Sequence, residues 1–341
     1  MRTKHLLAVA PIAVALAVAA AFAQPSSART AGGSLTGAGS TFVYPLVSQW
    51  INAYKSARIT YGPIGSGGGI AAITGRTVDF GASDAPLSKD QFAAAKGVVQ
   101  IPWALSATSI PYNVSGVGYG LRLSGHVLAD IFLGKIKRWN DKKIATLNPG
   151  TKLPSTKITP IYRSDASGTT FNFTDYLSRV SPDFKNRVGR GTQVRFPTGE
   201  GGKGSSGVAG VLSRTDGGIT YVDVAYSLKN HFRVAKIQNK AGKFQLPGLR
   251  GIKAASATVT SVRPNNFISV VDPPRSQPLA YPICTFTYVI VPMKTKKAKD
   301  LQKFVGWAIT KGQSFGTKLL FVPLPKVVVA ADQRSLARLH S

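Results

Sequence analysis

Acidic residues and histidines are scarce in this sequence. Fourteen Asp and Glu residues stand against 43 Lys and Arg residues, which gives a formal net charge of +29 at pH 7. The four histidines (His5, His126, His231, His340) are scattered, and none lies beside a candidate nucleophile. No group of His, Cys and Asp residues has the spacing of metal ligands. The sequence therefore predicts no catalytic residues, no metal site and no cofactor, while its charge favours attraction to anions.

Cysteine is nearly absent as well, and long apolar runs are few. The single Cys284 excludes a disulfide framework, and its apolar surroundings predict a buried core thiol. The apolar run from Leu319 to Ala331 is short and is interrupted by Pro323 and Pro325, which argues against a membrane span.

The N-terminus predicts export. Residues 1–23 combine a basic start, an apolar stretch from Leu6 and small residues before a cleavage point after Ala23, as a secretory signal peptide does. Pro11 and the predominance of alanine weigh against a membrane anchor, and no cysteine near the cleavage point marks a lipoprotein. We expect a periplasmic or secreted protein with a flexible leader at residues 24–34.

Two glycine-rich turns near the start of the chain each precede a predicted helix. After a strand at 34–39, Ser40 or Thr41 is expected to cap a helix and to leave the N–H groups of Thr41 and Phe42 free. A second turn, at 62–69, offers Ser66 ahead of a short helix at 70–74. Helix N-termini present free donors and attract anions. A single glycine-rich turn is weak evidence for an anion-binding site, since most such turns bind no ligand.

A third turn, Arg163 to Thr169, is the most informative stretch. It follows a predicted strand and precedes a helix whose apolar stripe is Phe173, Tyr176, Leu177 and Val180. Ser167, Gly168 and Thr169 then lie at a helix start, Arg163 adds a fork of donors that matches an oxyanion, and Asp165 can hold that fork. Taken alone, a capped turn with a surface ion pair is an equally good interpretation.

Two other stretches leave alternatives open. Asp84 follows a short strand, where ligands bind in open α/β sheets, yet a turn residue that caps its own backbone is the commoner role. The glycine-rich stretch 199–207 does not fit a phosphate-binding P-loop, because Gly204 follows Lys203 and no clear strand precedes it.

These motifs occur together, in order, in one known family. They are Thr36 to Phe42, Gly65-Ser66, Asp79 to Pro86, Leu133 to Trp139 and Arg163 to Thr169. From about Leu35 to Val329 the chain resembles the periplasmic phosphate-binding proteins of the phosphate-specific ABC importer.

The resemblance implies an α/β, two-lobed periplasmic binding protein fold, each lobe a mixed sheet flanked by helices, with the ligand in the cleft between lobes. The first lobe would comprise residues 35–108 and 286–341, and the second lobe residues 109–285. The strands near 106–112 and 281–291 would cross between the lobes and act as hinges.

The resemblance also implies the site. The residues that would bind phosphate are Thr41, the N–H of Phe42, Ser66, Asp84, Arg163, Ser167, Gly168 and Thr169. Asp165 would position Arg163, and Asp84 would accept a phosphate proton. Ala166 and Gly67 replace residues that are often Gly and Ser in the family, and the region from about 240 to 277 is shorter and more basic than usual.

The function implied is that of a monomeric, non-enzymatic protein that captures inorganic phosphate and delivers it to a membrane permease. A secreted phosphatase is one alternative, although it lacks a histidine beside a nucleophile. A basic protein that binds envelope polymers or other polyanions is another. Specific nucleic-acid binding is not expected, because the basic residues are dispersed rather than interleaved with aromatics. Charge could still hold the unanchored protein at an anionic cell envelope.

Overall fold

The structure is a computed structural model that describes residues 33–341. The predicted signal peptide and nearly all of the predicted leader lie outside the described residues. Among the helices of residues 33–341, none has the length and apolar character needed to cross a bilayer.

In chain order the strands are β1 (Ser34–Gly39), β2 (Arg58–Gly62), β3 (Phe80–Ser83), β4 (Val98–Ser109), β5 (Pro111–Asn113), β6 (Arg122–Leu123), β7 (Thr159–Arg163), β8 (Glu200–Gly202), β9 (Gly218–Thr220), β10 (Val222–Asp223), β11 (Arg233–Val234), β12 (Lys236–Gln238), β13 (Phe244–Gln245) and β14 (Cys284–Pro292).

The helices are α1 (Tyr44–Ala53), α2 (Ser66–Thr74), α3 (Lys89–Ala95), α4 (Gly125–Phe132), α5 (Lys142–Leu147), α6 (Gly168–Val180), α7 (Pro182–Arg187), α8 (Gly204–Arg214), α9 (Val224–Lys229), α10 (Leu249–Ser256), α11 (Ala298–Ala308) and α12 (Lys326–Ala337). A 3₁₀ helix, Lys311–Leu319, precedes α12.

The larger sheet has the strand order β10-β4-β14-β3-β1-β2. β1 pairs in parallel with β2 and β3, while β14 runs antiparallel to both β3 and β4. Every residue of β4 and β14 is buried, as expected for central strands rich in β-branched and aromatic residues. Aromatic rings pack on this sheet. The ring centroid of Trp103 lies 5.2 Å from that of Trp50 and 6.0 Å from that of Phe80.

The second sheet has the order β11-β5-β9-β7-β8, in which β7 runs parallel to both of its neighbours. Its core is aromatic: Phe173 of α6 stacks on Tyr221 at 4.3 Å and meets Phe132 of α4 edge-on at 4.7 Å. A small sheet, β13-β12-β6, lies beyond it. Helices therefore pack around two separate mixed sheets.

The chain passes between the two large sheets at a narrow point. β4 ends in the first sheet at Ser109 and β5 begins in the second at Pro111. The short strand β10 then pairs with the end of β4 in the first sheet, although its residues fall within 109–285, the range predicted for the second lobe. The crossing segments are joined by a hydrogen bond of 2.9 Å from the Tyr281 hydroxyl to the Thr108 carbonyl. The exact lobe boundaries stay a prediction.

Two local predictions were wrong. The helix expected at 70–74 begins at Ser66 and so includes three glycines. The reason is close packing: a Cβ on Gly69 would lie 2.5 Å from the Gly39 Cα and 2.7 Å from the Ala82 carbonyl oxygen, so tertiary contact overrides poor helix propensity. The stretch 199–207 does contain a strand, β8, followed directly by α8.

Candidate functional site

The ends of β1 and β3 and the starts of α2 and α6 meet in one place. The N–H of Gly65 donates to the Gly39 carbonyl at 2.8 Å, which joins the first two glycine turns. The N–H of Gly67 donates to the carbonyl of Ala166 at 2.9 Å, which joins the second turn to the third. Elements of both large sheets therefore meet there, and the predicted site residues are buried at this junction, which we call the cleft.

Asp84 is buried in this cleft directly after β3. The hydroxyl of Ser40 donates to its Oδ1, and the hydroxyl of Ser66 lies 3.4 Å from its Oδ2. Burial raises the pKa of this carboxyl to about 7, against the opposing effects of the Ser40 hydrogen bond, the charge of Arg163 and the Ser66 hydroxyl. Asp84 is thus poised between the proton-accepting and the proton-donating form near neutral pH.

Arg163 ends β7 and is held in place by Asp165. Its Nε donates to Asp165 Oδ1 at 2.8 Å and its Nη2 to Oδ2 at 2.5 Å, a two-pronged ion pair. The arginine side chain is 2% exposed and the aspartate side chain 13% exposed. Burial acts to raise the pKa of Asp165, but the hydrogen bonds and charge of Arg163 and the N–H of Gly204 outweigh it and hold the pKa below its usual value. Asp165 is therefore ionised and fixes the guanidinium.

The third turn opens α6 as the sequence predicts. Ser167 is the N-cap, and its hydroxyl accepts from the N–H of Thr170 at 3.2 Å. The Tyr221 hydroxyl supports both ends of the turn, since it accepts from the N–H of Arg163 at 3.1 Å and bonds Thr170 Oγ1 at 2.8 Å. The buried hydroxyl of Thr169 has no hydrogen-bond partner among residues 33–341, so it is available to a ligand.

Gly168 lets the two sides of the cleft approach each other. A Cβ at this position would lie 2.6 Å from the Asp84 Cβ, 2.6 Å from the Ser66 hydroxyl and 2.7 Å from the Ala85 nitrogen. No side chain larger than hydrogen fits without moving α6 away from β3.

We expect a Gly168→Ala protein to bind its ligand at least about tenfold more weakly, because overpacking costs about 1–3 kcal/mol and here it separates groups from both sheets. Titration calorimetry measures the affinity. Gly210→Ala is the matched control, since a Cβ on that helical glycine meets only the Arg214 guanidinium, at 3.6 Å. Equal affinities of the two variants would contradict the close approach.

One predicted free donor is not free. The N–H of Phe42 donates to the Ser40 hydroxyl at 3.0 Å, and the N–H of Val43 lies 3.3 Å from the same oxygen. α1 consequently begins later than expected, at Tyr44, with no side-chain cap at Val43. The sequence does not reveal this competition, because Ser40 and Thr41 are equally plausible caps.

The sequence analysis missed α8. Its first N–H, that of Gly204, donates to Asp165 Oδ1 at 2.9 Å, and the next residue, Ser205, contacts Thr41. Gly204 adopts a φ of +70°, which favours glycine. The sequence feature that could have indicated this helix is Gly-Lys-Gly-Ser-Ser. It does not fit the P-loop pattern, but it does precede and begin a helix at the cleft.

Two observations concern the residues that metal binding or nucleophilic chemistry would need. Within residues 33–341 no group of three His, Cys, Asp or Glu side chains could hold a metal ion. Cys284 is buried in β14, and burial raises the pKa of its thiol well above the usual range, so it is not a nucleophile.

Comparison with known proteins gives consistent matches. The sequence matches the model of the PBP superfamily domain over residues 24–311. It is 42% identical to the phosphate-binding protein PstS of Xylella fastidiosa over 312 residues, which are 89% of this chain and 85% of that protein. It is 39% identical to the phosphate-binding protein PstS of Pasteurella multocida, over 92% of this chain and 91% of that protein.

Solved structures agree in fold. A periplasmic phosphate-binding protein, PfluDING, solved with bound phosphate, superposes with a TM-score of 0.72 at 22% identity, over 88% of this chain and 93% of that chain. The phosphate-binding protein from Stenotrophomonas maltophilia gives 0.71 at 22% identity, with the same coverage. These likenesses show the two-lobed α/β fold of periplasmic binding proteins.

Proposed function

Because the chain belongs to the PstS family of phosphate-binding proteins, within the PBP superfamily, we propose that it captures inorganic phosphate for a phosphate ABC importer. One observation supports the proposal: three groups are buried where the two large sheets meet, namely a guanidinium held by Asp165, the Thr169 hydroxyl, which has no partner within residues 33–341, and the carboxyl of Asp84. A tetrahedral oxyanion that keeps a proton matches all three, since it accepts from the first two and donates to the third.

The phosphate ligands proposed are those inferred from the sequence: Thr41, Phe42, Ser66, Asp84, Arg163, Ser167, Gly168 and Thr169. Asp165 acts through Arg163. Phosphate is expected to compete with the Ser40 hydroxyl for the N–H of Phe42, since that N–H has one proton to donate. The N–H of Ser167 also has a partner, since it donates to the Thr192 carbonyl at 2.8 Å, so Ser167 is expected to contribute its hydroxyl.

The lobes proposed are residues 35–108 with 286–341, and residues 109–285. Phosphate contacts from both lobes favour the closed state through their differential affinity for it. Small-angle scattering with and without phosphate tests this, and a radius of gyration that does not decrease on binding contradicts closure.

The protein is proposed to act outside the cytoplasm as a monomer, to deliver phosphate to a membrane permease and to turn over no substrate. The Lys and Arg excess of the chain is expected to attract it to the anionic envelope. If salt does not wash the protein from cells, this electrostatic attachment is wrong. A colourimetric phosphatase assay should give no turnover.

Calorimetric titration of the refolded protein with phosphate, arsenate and sulfate at neutral pH tests the central proposal. Phosphate and arsenate share shape and protonation and should both bind, with phosphate tighter than sulfate. Equal binding of sulfate and phosphate, or no binding of phosphate, contradicts the proposed function.

Sulfate affinity should fall as the pH rises. Protonated Asp84 can donate to sulfate, whereas ionised Asp84 only repels it, and burial sets the changeover at a pKa of about 7. If sulfate binds only the protonated form, its affinity falls about tenfold between pH 6 and pH 8. Sulfate does not titrate in this range, so titrations at several pH values report the protein alone. An Asp84→Asn protein should lose the dependence.

A further inference from the structure

α8 reaches the cleft from the side of the second sheet. The Ser205 hydroxyl lies 2.9 Å from the Thr41 hydroxyl, and the N–H of Ser205 donates to Thr41 Oγ1 at 3.3 Å. Both side chains are buried. A residue outside the proposed set of ligands therefore holds one of the proposed ligands, across the cleft.

Asp223 lies behind Ser205, at the point where β10 meets β4. Its Oδ1 caps α9 by accepting from the N–H of Tyr226 at 3.0 Å. Its Oδ2 is buried and has no hydrogen-bond partner of ordinary geometry within residues 33–341. Burial raises the pKa of Asp223 well above its usual value and the charge of Asp84 raises it further, against the lowering effects of the Tyr226 N–H, the Ser205 side chain and Arg163. An ionised carboxylate with an unpaired oxygen in a buried position is costly, so burial and the unpaired Oδ2 favour the protonated form of Asp223.

We propose that Asp223 and Ser205 are positioning residues of the phosphate site: Asp223 donates to Ser205, Ser205 donates to Thr41, and the Thr41 proton is thereby turned toward the ligand. The inference rests on the proposed function, because it concerns how Thr41 meets phosphate. A hydroxyl has one proton and two acceptor positions. Thr41 accepts from the Ser205 N–H, and accepting from the Ser205 hydroxyl as well leaves only its own proton to offer.

An ionised Asp223 would reverse the direction of these hydrogen bonds. The carboxylate would accept a hydrogen bond from the Ser205 hydroxyl, and Ser205 would then accept one from Thr41. The Thr41 proton would point away from the ligand. Asparagine at position 223 separates the two. Its carbonyl can keep the α9 cap while its amide donates to Ser205, but the amide nitrogen cannot accept.

Calorimetric titration of the full chain with inorganic phosphate tests the chain of hydrogen bonds. Ser205→Ala and Asp223→Ala should each weaken binding about five- to tenfold, the effect of a lost orienting hydrogen bond. Asp223→Asn should bind within about twofold of wild type, which is rescue by the conservative variant. Ser206→Ala is the matched control, because the neighbouring Ser206 is exposed at the same helix start, and it should not change the affinity.

Two results overturn the inference while the proposed function stands. In the first, the wild-type protein binds phosphate, and Ser205→Ala and Ser206→Ala bind it with equal affinity. In the second, Asp223→Asn binds phosphate as weakly as Asp223→Ala. Failure of the wild-type protein to bind phosphate overturns the proposed function itself. Thermal unfolding of each variant separates loss of the α9 cap from loss of binding, and Ser205→Thr retains a hydroxyl if Ser205→Ala does not fold.

Discussion

An Arg163→Lys protein should bind phosphate about 100-fold more weakly than the wild type, a loss of about 2.7 kcal/mol. Lysine keeps the charge but has no planar fork, so it cannot hold both oxygens of Asp165 and still face the ligand. Hydrogen bonds to charged groups contribute about 1.5–3 kcal/mol each, so the loss of one well-directed bond suffices. Titration calorimetry at neutral pH gives the affinity.

The matched control is Arg179→Lys. Arg179 also pairs with an aspartate, its Nη2 lying 2.8 Å from Asp175 Oδ2, but it belongs to the far part of α6 and not to the cleft. Asp165→Ala should weaken binding less than Arg163→Lys, because it loosens the guanidinium without removing it. If Arg163→Lys binds phosphate as tightly as Arg179→Lys does, Arg163 does not contact the ligand.

At pH 9, about two units above the pKa of about 7 of the Asp84 carboxyl, an Asp84→Asn protein should lose most of the preference for phosphate over sulfate, with the affinity ratio falling about 100-fold. In the wild-type protein at this pH the ionised carboxylate accepts a hydrogen bond from phosphate but faces only acceptors on sulfate, inside a buried site. An unmet buried contact costs about 1–3 kcal/mol, and more when the groups are charged. Discrimination therefore depends on repulsion of the wrong ligand, which asparagine removes because its amide donates.

Competition titrations with phosphate and sulfate measure this ratio. Asp79→Asn is the matched control, since Asp79 lies five residues earlier and pairs with Lys297 at 2.8 Å instead of facing the cleft. An Asp84→Asn protein with the wild-type ratio would reduce Asp84 to a turn residue.

Local patterns in the sequence predicted the third turn well. β7 and α6 begin and end close to the expected residues, Ser167 caps the helix, and Phe173, Tyr176 and Leu177 form the buried stripe. Each of these features depends on a short stretch of chain, where helix caps and apolar spacing are decisive. The interpretation of Arg163 and Asp165 as a surface ion pair is wrong, because the arginine is buried.

Contacts between distant stretches could not be predicted in the same way. Ser205 meets Thr41 over a separation of 164 residues, and β8 has only three residues, so nothing local marks it as a strand. Gly69 of α2 is accommodated in a helix because Gly39 and Ala82 pack closely against it. Such features follow from packing between elements, which the periodicity of a sequence does not report.

The position of β14 has a consequence for when the protein can fold during its synthesis. β14 lies between β3 and β4 and pairs with both, yet in the chain it follows every strand of the second sheet. A growing chain that lacks this strand has β1, β2 and β3 on one side and β4 on the other, with nothing to join them into one sheet. Contacts of such long sequence separation form late and slowly. The nascent chain therefore cannot complete its larger sheet until β14 has been synthesised.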